Sequence, residues 1–383
     1  MLGSAAAATA ASLPFSARAA DPVRVGLILP LTGPFASTGR QIEAGARLYM
    51  AKNGDTVAGQ KIELLVRDDT GLAPETTKRL AQELIARDKV SFLAGFGLTP
   101  LALATAPLAT EAKVPMIVMG AATSIVPQRS PFIVRAGFTV PQITAPIAQW
   151  GARNGMKRVV TSVTDFAPGV ECEKTFIKFF TEGGGTIVES MRTPLQNPDY
   201  GPFLQRAKDA KPDSMFIFVP SGQGAAIMKQ FVDRGLKEAG IKLICTGDVL
   251  DDDLLEAIGP SALGVVSSHH YSAAHDSPEN KAYVEGYLRA NNGMRPNFMS
   301  VHGYDGIHVI YESLKKTGGN AADGEKLVNA MKGLAWVSPR GPMSIDPATR
   351  DVIQNIYIRR CEMVNGKLWN IEFDKTENVK DPG

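Results

Sequence analysis

From residue 22 onward, short apolar runs alternate with longer stretches whose apolar residues recur every three or four positions. "VRVGLILPL" (23–31), "KIELLVRDD" (61–69), "VSFLAGF" (90–96), "VPMIVMG" (114–120) and "FIVRAG" (132–137) read as strands. Helices are predicted between the earlier runs at 39–54, 74–88 and 99–112, the second with Leu80, Leu84 and Ile85 on one stripe. Pro107 is expected to kink or divide the third, because it lacks an N–H and its ring crowds the preceding turn.

The pattern then starts again. Strands are predicted at 157–165, 186–194, 213–221, 241–247 and 263–271, with helices near 169–182, 200–210, 223–235 and 251–258. Two further helices follow at 277–292, with Ser277 as cap, and at 302–318, with Gly318 as stop. The stretch 335–375 reads as strands and turns. Strands and helices in this alternation predict βαβ units and parallel sheets. A chain of 383 residues exceeds the size at which one core keeps growing, so the two walks imply two doubly wound α/β lobes.

Charge adds an exclusion. The chain carries 41 basic and 39 acidic side chains, which leaves no basic face and argues against nucleic acid as a partner. No run of about 18 apolar residues is present to span a membrane. Residues 1–19 are mostly Ala, Ser and Leu and end in Ala17-Arg18-Ala19, a small-x-small pattern. They are expected to be an export-signal remnant, with the mature chain starting near Ala20. Cys172, Cys245 and Cys361 are odd in number and contain no C-x-x-C pair, which favours buried free thiols.

Open α/β sheets bind ligands beyond the C-terminal ends of their strands, so the turns there are the candidates. They are "LTGPFASTG" (31–39), "GFGLTP" (95–100), "GAATS" (120–124), "DFAPG" (165–169), "PSGQG" (220–224) and "TGDV" (246–249). Small residues let ligand atoms reach backbone N–H groups at helix starts, where an anion is favoured. Thr99, Thr123 and Ser124 add hydroxyls, so the expected guest is a carboxylate. Any one of these turns, taken alone, is an ordinary Gly-rich connection; their convergence on one edge carries the argument.

The start "VGLILPLTGPFASTGRQIEAGARL", the block "GFGLTPLALATAPLATEAKVPMIVMGAATS" and "PFIVRAGFT" resemble the periplasmic solute-binding proteins of branched-chain amino acid type ABC transporters. The resemblance runs from about residue 22 to 375. "VPSGQGAAIMKQF" and "GDVLDDDLLEAIG" resemble the branch that takes up aromatic carboxylates. It implies a type I periplasmic binding protein fold: two doubly wound, Rossmann- or flavodoxin-like lobes joined by a three-crossing hinge. Lobe 1 would comprise 20–139 and 270–348, and lobe 2 would comprise 140–269 and 349–383. The crossings would lie near 138–141, 268–271 and 345–352.

The resemblance places Thr99, Ala121 and Thr123 on the ligand carboxylate and Asp248 on an amino group, and Ala122 in the same turn is a further ligand-binding candidate. Phe166 would cover the ligand, where amino acid binders usually carry Tyr, and Thr38 stands where an aromatic is common, with Phe35 nearby. These departures favour an aromatic carboxylate of benzoate, hydroxybenzoate or hydroxycinnamate kind, its ring between Phe35, Phe96 and Phe166. Ser221, Gln223, Asp248 and Tyr271 would read ring hydroxyls. The alternatives are a branched-chain or other hydrophobic amino acid, and a ligand sensor of the same fold. A periplasmic monomer that docks on a membrane permease is implied.

Chemistry has little to work with. "GFG" and "GQG" do not complete G-x-G-x-x-G, so no nucleotide cofactor is expected. His269 and His270, if on a strand, point to opposite faces and cannot share a metal, and Asp251-Asp252-Asp253 reads as a helix opening. No G-x-S-x-G elbow is present, and no enzymatic role is expected. Arg135, near the first crossing, either braces it or attracts the anion.

Overall fold

The computed structural model describes residues 21–383, so the export-signal reading of 1–19 lies outside the described residues. The first walk runs β1 (Val23–Leu29), α1 (Ala36–Asn53), β2 (Thr56–Val57), β3 (Gln60–Asp68), α2 (Pro74–Ala86), β4 (Phe92–Gly95), α3 (Thr99–Ala112), β5 (Met116–Val118) and β6 (Ile133–Arg135). The second runs α4 (Val140–Arg153), β7 (Arg158–Thr164), α5 (Ala167–Glu182), β8 (Thr186–Thr193), α6 (Gly201–Asp209), β9 (Ser214–Phe218), α7 (Gly224–Asp233), β10 (Lys242–Thr246), α8 (Leu255–Ile258) and β11 (Val266–His269). The chain ends with α9 (Pro278–Ala290), α10 (Phe298–Lys316), α11 (Gly324–Met331), β12 (Ala335–Ser338), β13 (Gly341–Ile345), β14 (Val352–Val364) and β15 (Lys367–Val379).

The first sheet has the order β2-β3-β1-β4-β5-β6, parallel except for β2. The second contains a parallel β8-β7-β9-β10-β11 core, to which β14 adds antiparallel. Both cores therefore have their switch point beside the first strand of the walk, where a doubly wound sheet opens a crevice. Helices cover both faces of such sheets, which is why β1 and β9 are almost wholly apolar and buried. Strands β12 and β13, placed with lobe 1 by the sequence, are hydrogen bonded through β13–β14 into the second sheet. Helix α3 runs undivided through Pro107, contrary to one of the two expected outcomes.

Helix α10 starts four residues before its predicted position, because Asn297 caps it by accepting from the Met299 and Ser300 N–H groups at 2.9 and 3.3 Å. It crosses α1 at backbone contact: a Cβ on Gly45 would fall 1.8 Å from the Ser300 oxygen, and one on Gly303 would fall 2.0 Å from Ile42 O. This crossing sets Met299 at the interlobe cleft.

Three fully buried arginines hold the crossings. Arg135 donates to the Phe138 carbonyl at 3.2 Å and to Asp351. Arg340 donates to Gly137 O at 2.8 Å and to Asp305 at 2.9 Å, and Arg359 donates to Tyr271 O. A capping box joins Thr139 and Gln142 at the start of α4, and the Gln142 amide reaches Val352 O at 2.8 Å, tying the first crossing to the third. The three cysteines are buried and free.

Candidate binding cleft

The first lobe meets the cleft with two turns packed backbone on backbone. A Cβ at Gly120 would lie 2.8 Å from Gly97 Cα and 3.0 Å from Phe96 O, so the bareness of "GAATS" first serves this close approach. Ala121 N–H donates to Phe96 O at 2.8 Å, and the Thr99 and Thr123 hydroxyls pair at 2.8 Å. Thr99 opens α3, so its N–H is among those the helix leaves unpaired. Behind the turn, Arg135 donates to the carbonyls of Ala121 and Thr123, the latter at 2.7 Å.

Between the lobes lies a small slot lined by both of them. Its walls include Phe35, Phe138, Phe166, Phe218 and Met299. Phe166 and Phe218 lie face to face, with centroids 6.2 Å apart and planes at 18°.

The second lobe contributes Asp248, 4% exposed, on the turn after β10. Its Oδ2 has no hydrogen-bond partner among the described residues, and His269 Nε2 stands 3.6 Å away, beyond hydrogen-bonding reach. Burial lowers the His269 pKa to about 4, so this imidazole is neutral and its two nitrogens are also unpartnered. His270 and His302 contact each other at 2.7 Å, both held well below the usual range by burial.

Hydrogen bonds join the two lobes at several points: Asn297 donates to Asp253 at 2.9 Å, Arg295 donates to the Asp252 and Leu368 carbonyls at 3.2 and 2.7 Å, and two contacts lie at the rims. Ser37 donates to Asp253 at 3.0 Å, and the Ser124 N–H donates to the Glu171 carboxylate at 3.1 and 3.2 Å. Burial raises the Glu171 pKa to about 7. The lobes are therefore closed on each other.

Of the predicted residues, Phe35, Thr38, Thr99, Ala121, Ala122, Phe166, Ser221 and Asp248 line the slot, and Thr123 abuts it through Thr99. Three others are elsewhere. Phe96 is fully buried in the lobe 1 core and contributes its carbonyl, not its ring. Gln223 bonds Tyr200 and Leu195 O, each at 3.2 Å, and Tyr271 is buried with its hydroxyl on Asn280 at 3.1 Å. The Ser221 hydroxyl is already committed to Asp251 at 2.9 Å.

Two further readings are corrected. The acidic triplet does not open a helix: Asp251, Asp252 and Asp253 lie in a buried turn, bonded to Ser221 and Gly222, to Asn370, and to Ser37 and Asn297. His269 and His270 are not on opposite faces; β11 ends at His269, and the two rings sit 4.2 Å apart. Among the described residues, no group of three His, Cys, Asp or Glu side chains is arranged to hold a metal.

The sequence matches the periplasmic binding protein family over residues 22–367. Leu/Ile/Val-binding protein homolog 6 of Brucella abortus (strain 2308) is 44% identical over 375 residues, covering 97% of this chain and 96% of that one. A solute binding protein of an ABC transporter from Rhodopseudomonas palustris BisB5, in complex with 3,4-dihydroxy benzoic acid, is 59% identical, with a TM-score of 0.92 and 94% and 99% coverage. A second R. palustris solute binding protein, in complex with 4-hydroxybenzoate, is 42% identical with the same TM-score and the same coverage of both chains. No described helix is long and apolar enough to cross a membrane. By its family match and by these relatives, the chain belongs to the periplasmic binding proteins, the extracytoplasmic solute-binding components of ABC transporters.

Proposed function

We propose that this protein holds a hydroxylated benzoate-type carboxylate in the interlobe slot and delivers it, as a periplasmic monomer without catalysis, to an ABC permease. The observation that carries this reading is the pairing of two ends across an aromatic slot: a hydroxyl and N–H cradle on one side and a carboxylate with a free oxygen on the other. A ring carboxylate satisfies the first and a phenolic O–H satisfies the second, while the flat ring fills the space between Phe35, Phe138 and Phe166. The hydroxybenzoates in two similar solute binding proteins support the same assignment.

A branched-chain amino acid is the second reading, favoured by Asp248 itself and by the names of the curated relatives. An ammonium group carries three donors and needs several acceptors. Besides Asp248, the second lobe lines the slot with Phe166, Pro168, Phe218, Pro220 and a Ser221 hydroxyl already engaged with Asp251, and His269, 3.6 Å from Asp248, is not in the lining, which favours a single phenolic donor. Thermal-shift titration with 4-hydroxybenzoate, 3,4-dihydroxybenzoate, benzoate and leucine tests this. Hydroxybenzoates are expected to raise the melting temperature with dissociation constants of about 1 μM or below, roughly −8 kcal/mol or better. A rise with leucine and none with hydroxybenzoates overturns the assignment.

A further inference from the structure

Arg135 is wholly buried at the end of β6 and does not line the slot, yet its guanidinium is the point where the cradle meets the hinge. Nε donates to Asp351 on the third crossing; Nη1 donates to Ala121 O and, at 3.2 Å, to Phe138 O on the first crossing; Nη2 donates to Thr123 O at 2.7 Å. In a trans peptide the carbonyl of one residue and the N–H of the next point in opposite directions. Fixing the Ala121 and Thr123 carbonyls from behind therefore turns the N–H groups of Ala122 and Ser124 forward. The Ser124 N–H meets Glu171 of the facing lobe. The Ala122 N–H has no acceptor among the described residues, and Ala122 lines the slot.

We infer that Arg135 is the positioning residue of the anion cradle: its fork aims the Ala122 N–H at the ligand carboxylate and the Ser124 N–H at lobe 2, and links both to two of the three crossings. The inference rests on a carboxylate guest, which the aromatic acid and amino acid readings share. It also gives the buried cation a second use, since a fixed positive charge behind the peptide favours an anion in front of it. Lysine cannot replace the arrangement, because a single ammonium on a flexible stem lacks the planar fork that reaches four acceptors at once.

The test compares 4-hydroxybenzoate with uncharged 4-hydroxybenzamide by calorimetry. Arg135→Lys is expected to weaken the acid by about 10- to 100-fold, the scale of a misdirected hydrogen bond to a charged group, and the amide by less than about 3-fold. A merely structural defect would weaken both in proportion, and that result, or an unchanged acid affinity in a folded variant, overturns the inference. Where Arg135→Lys does not fold, replacing the Ala122 amide by an ester removes the N–H and weakens the Ala121 carbonyl that accepts from Arg135, so it loosens the same arrangement from the front; the acid must again lose about 10-fold or more, and an ester protein binding as tightly as the parent overturns the inference. If the unaltered protein binds leucine in place of 4-hydroxybenzoate, the ligand assignment falls, and the same comparison with leucine and leucinamide decides the role of Arg135 separately.

Discussion

The two sides of the cleft are built on different plans. Lobe 1 presents peptide groups engaged from behind: Ala121 N–H on Phe96 O, the carbonyls of Ala121 and Thr123 on Arg135, Thr99 on Thr123. Lobe 2 presents a side chain with an oxygen left unbonded. Among the buried atoms without a partner, Ser124 Oγ, His270 Nδ1 and His302 Nδ1 belong to the first lobe and Asp248 Oδ2 to the second, and of these residues Asp248 lines the slot. An unpaired buried polar atom costs about 1–3 kcal/mol, so Asp248 rewards a guest that supplies a donor. On the proposed function, the first side anchors the carboxylate and the second selects among carboxylates.

The largest effect expected from breaking the comparison comes at Gly120. Gly120→Val forces the two turns of the cradle apart and is expected to lower affinity for every carboxylate by about 100-fold or more, read by calorimetry, because a rigid backbone contact cannot relax. Next is Asp248→Ala. Loss of a charged acceptor is expected to weaken 4-hydroxybenzoate by about 10- to 100-fold while leaving benzoate within about 3-fold, so the ratio of the two separates selection from anchoring. Equal losses for both ligands would erase the distinction between the lobes.

Smaller effects are expected at the rims. Ser37→Ala removes one cross-cleft bond but leaves Asp253 on Asn297 at 2.9 Å, and is expected to speed dissociation by about 3- to 10-fold in stopped-flow measurements. Glu171 gives the smallest, and it depends on pH. Its pKa is raised from 4.5 to about 7 by burial, so the closed state takes up a proton more readily than a state in which the carboxyl is exposed. That favours closure fully below pH 4.5, and the advantage is lost as pH rises through 7. Affinity is therefore expected to fall a few-fold between about pH 6.5 and about pH 8, and Glu171→Gln is expected to flatten that slope. A slope unchanged in the variant would assign it to other groups.

The order of elements was legible because strands buried on both faces leave continuous apolar runs, and both sheets use them in the same order. The cleft turns were legible because several turns of small and hydroxyl-bearing residues follow strands whose C-terminal ends share one edge, although any one of them alone is ordinary. The walls were not. Phe138, Phe218 and Met299 sit in apolar runs where a cleft residue and a core residue look alike, and Phe96 was misplaced for the same reason. Polar roles depended on partners far along the chain: Asp253 finds Ser37 and Asn297, Asp252 finds Asn370, and Gln223 finds Tyr200. Local spacing holds no trace of such pairs, so the acidic triplet looked like an ordinary helix start. Arg135 was noticed for its place by the first crossing, but its four acceptors on three separate segments emerge only from the fold.

The Ser124 amide has a kinetic consequence. It is two peptides from the Ala122 N–H that faces the guest, and it grips Glu171 on the opposite side. Any pull that separates Glu171 from Ser124 acts along the same short stretch of chain that touches the cargo. On the proposed reading, prying at this one rim is expected to loosen the seat as it opens the door.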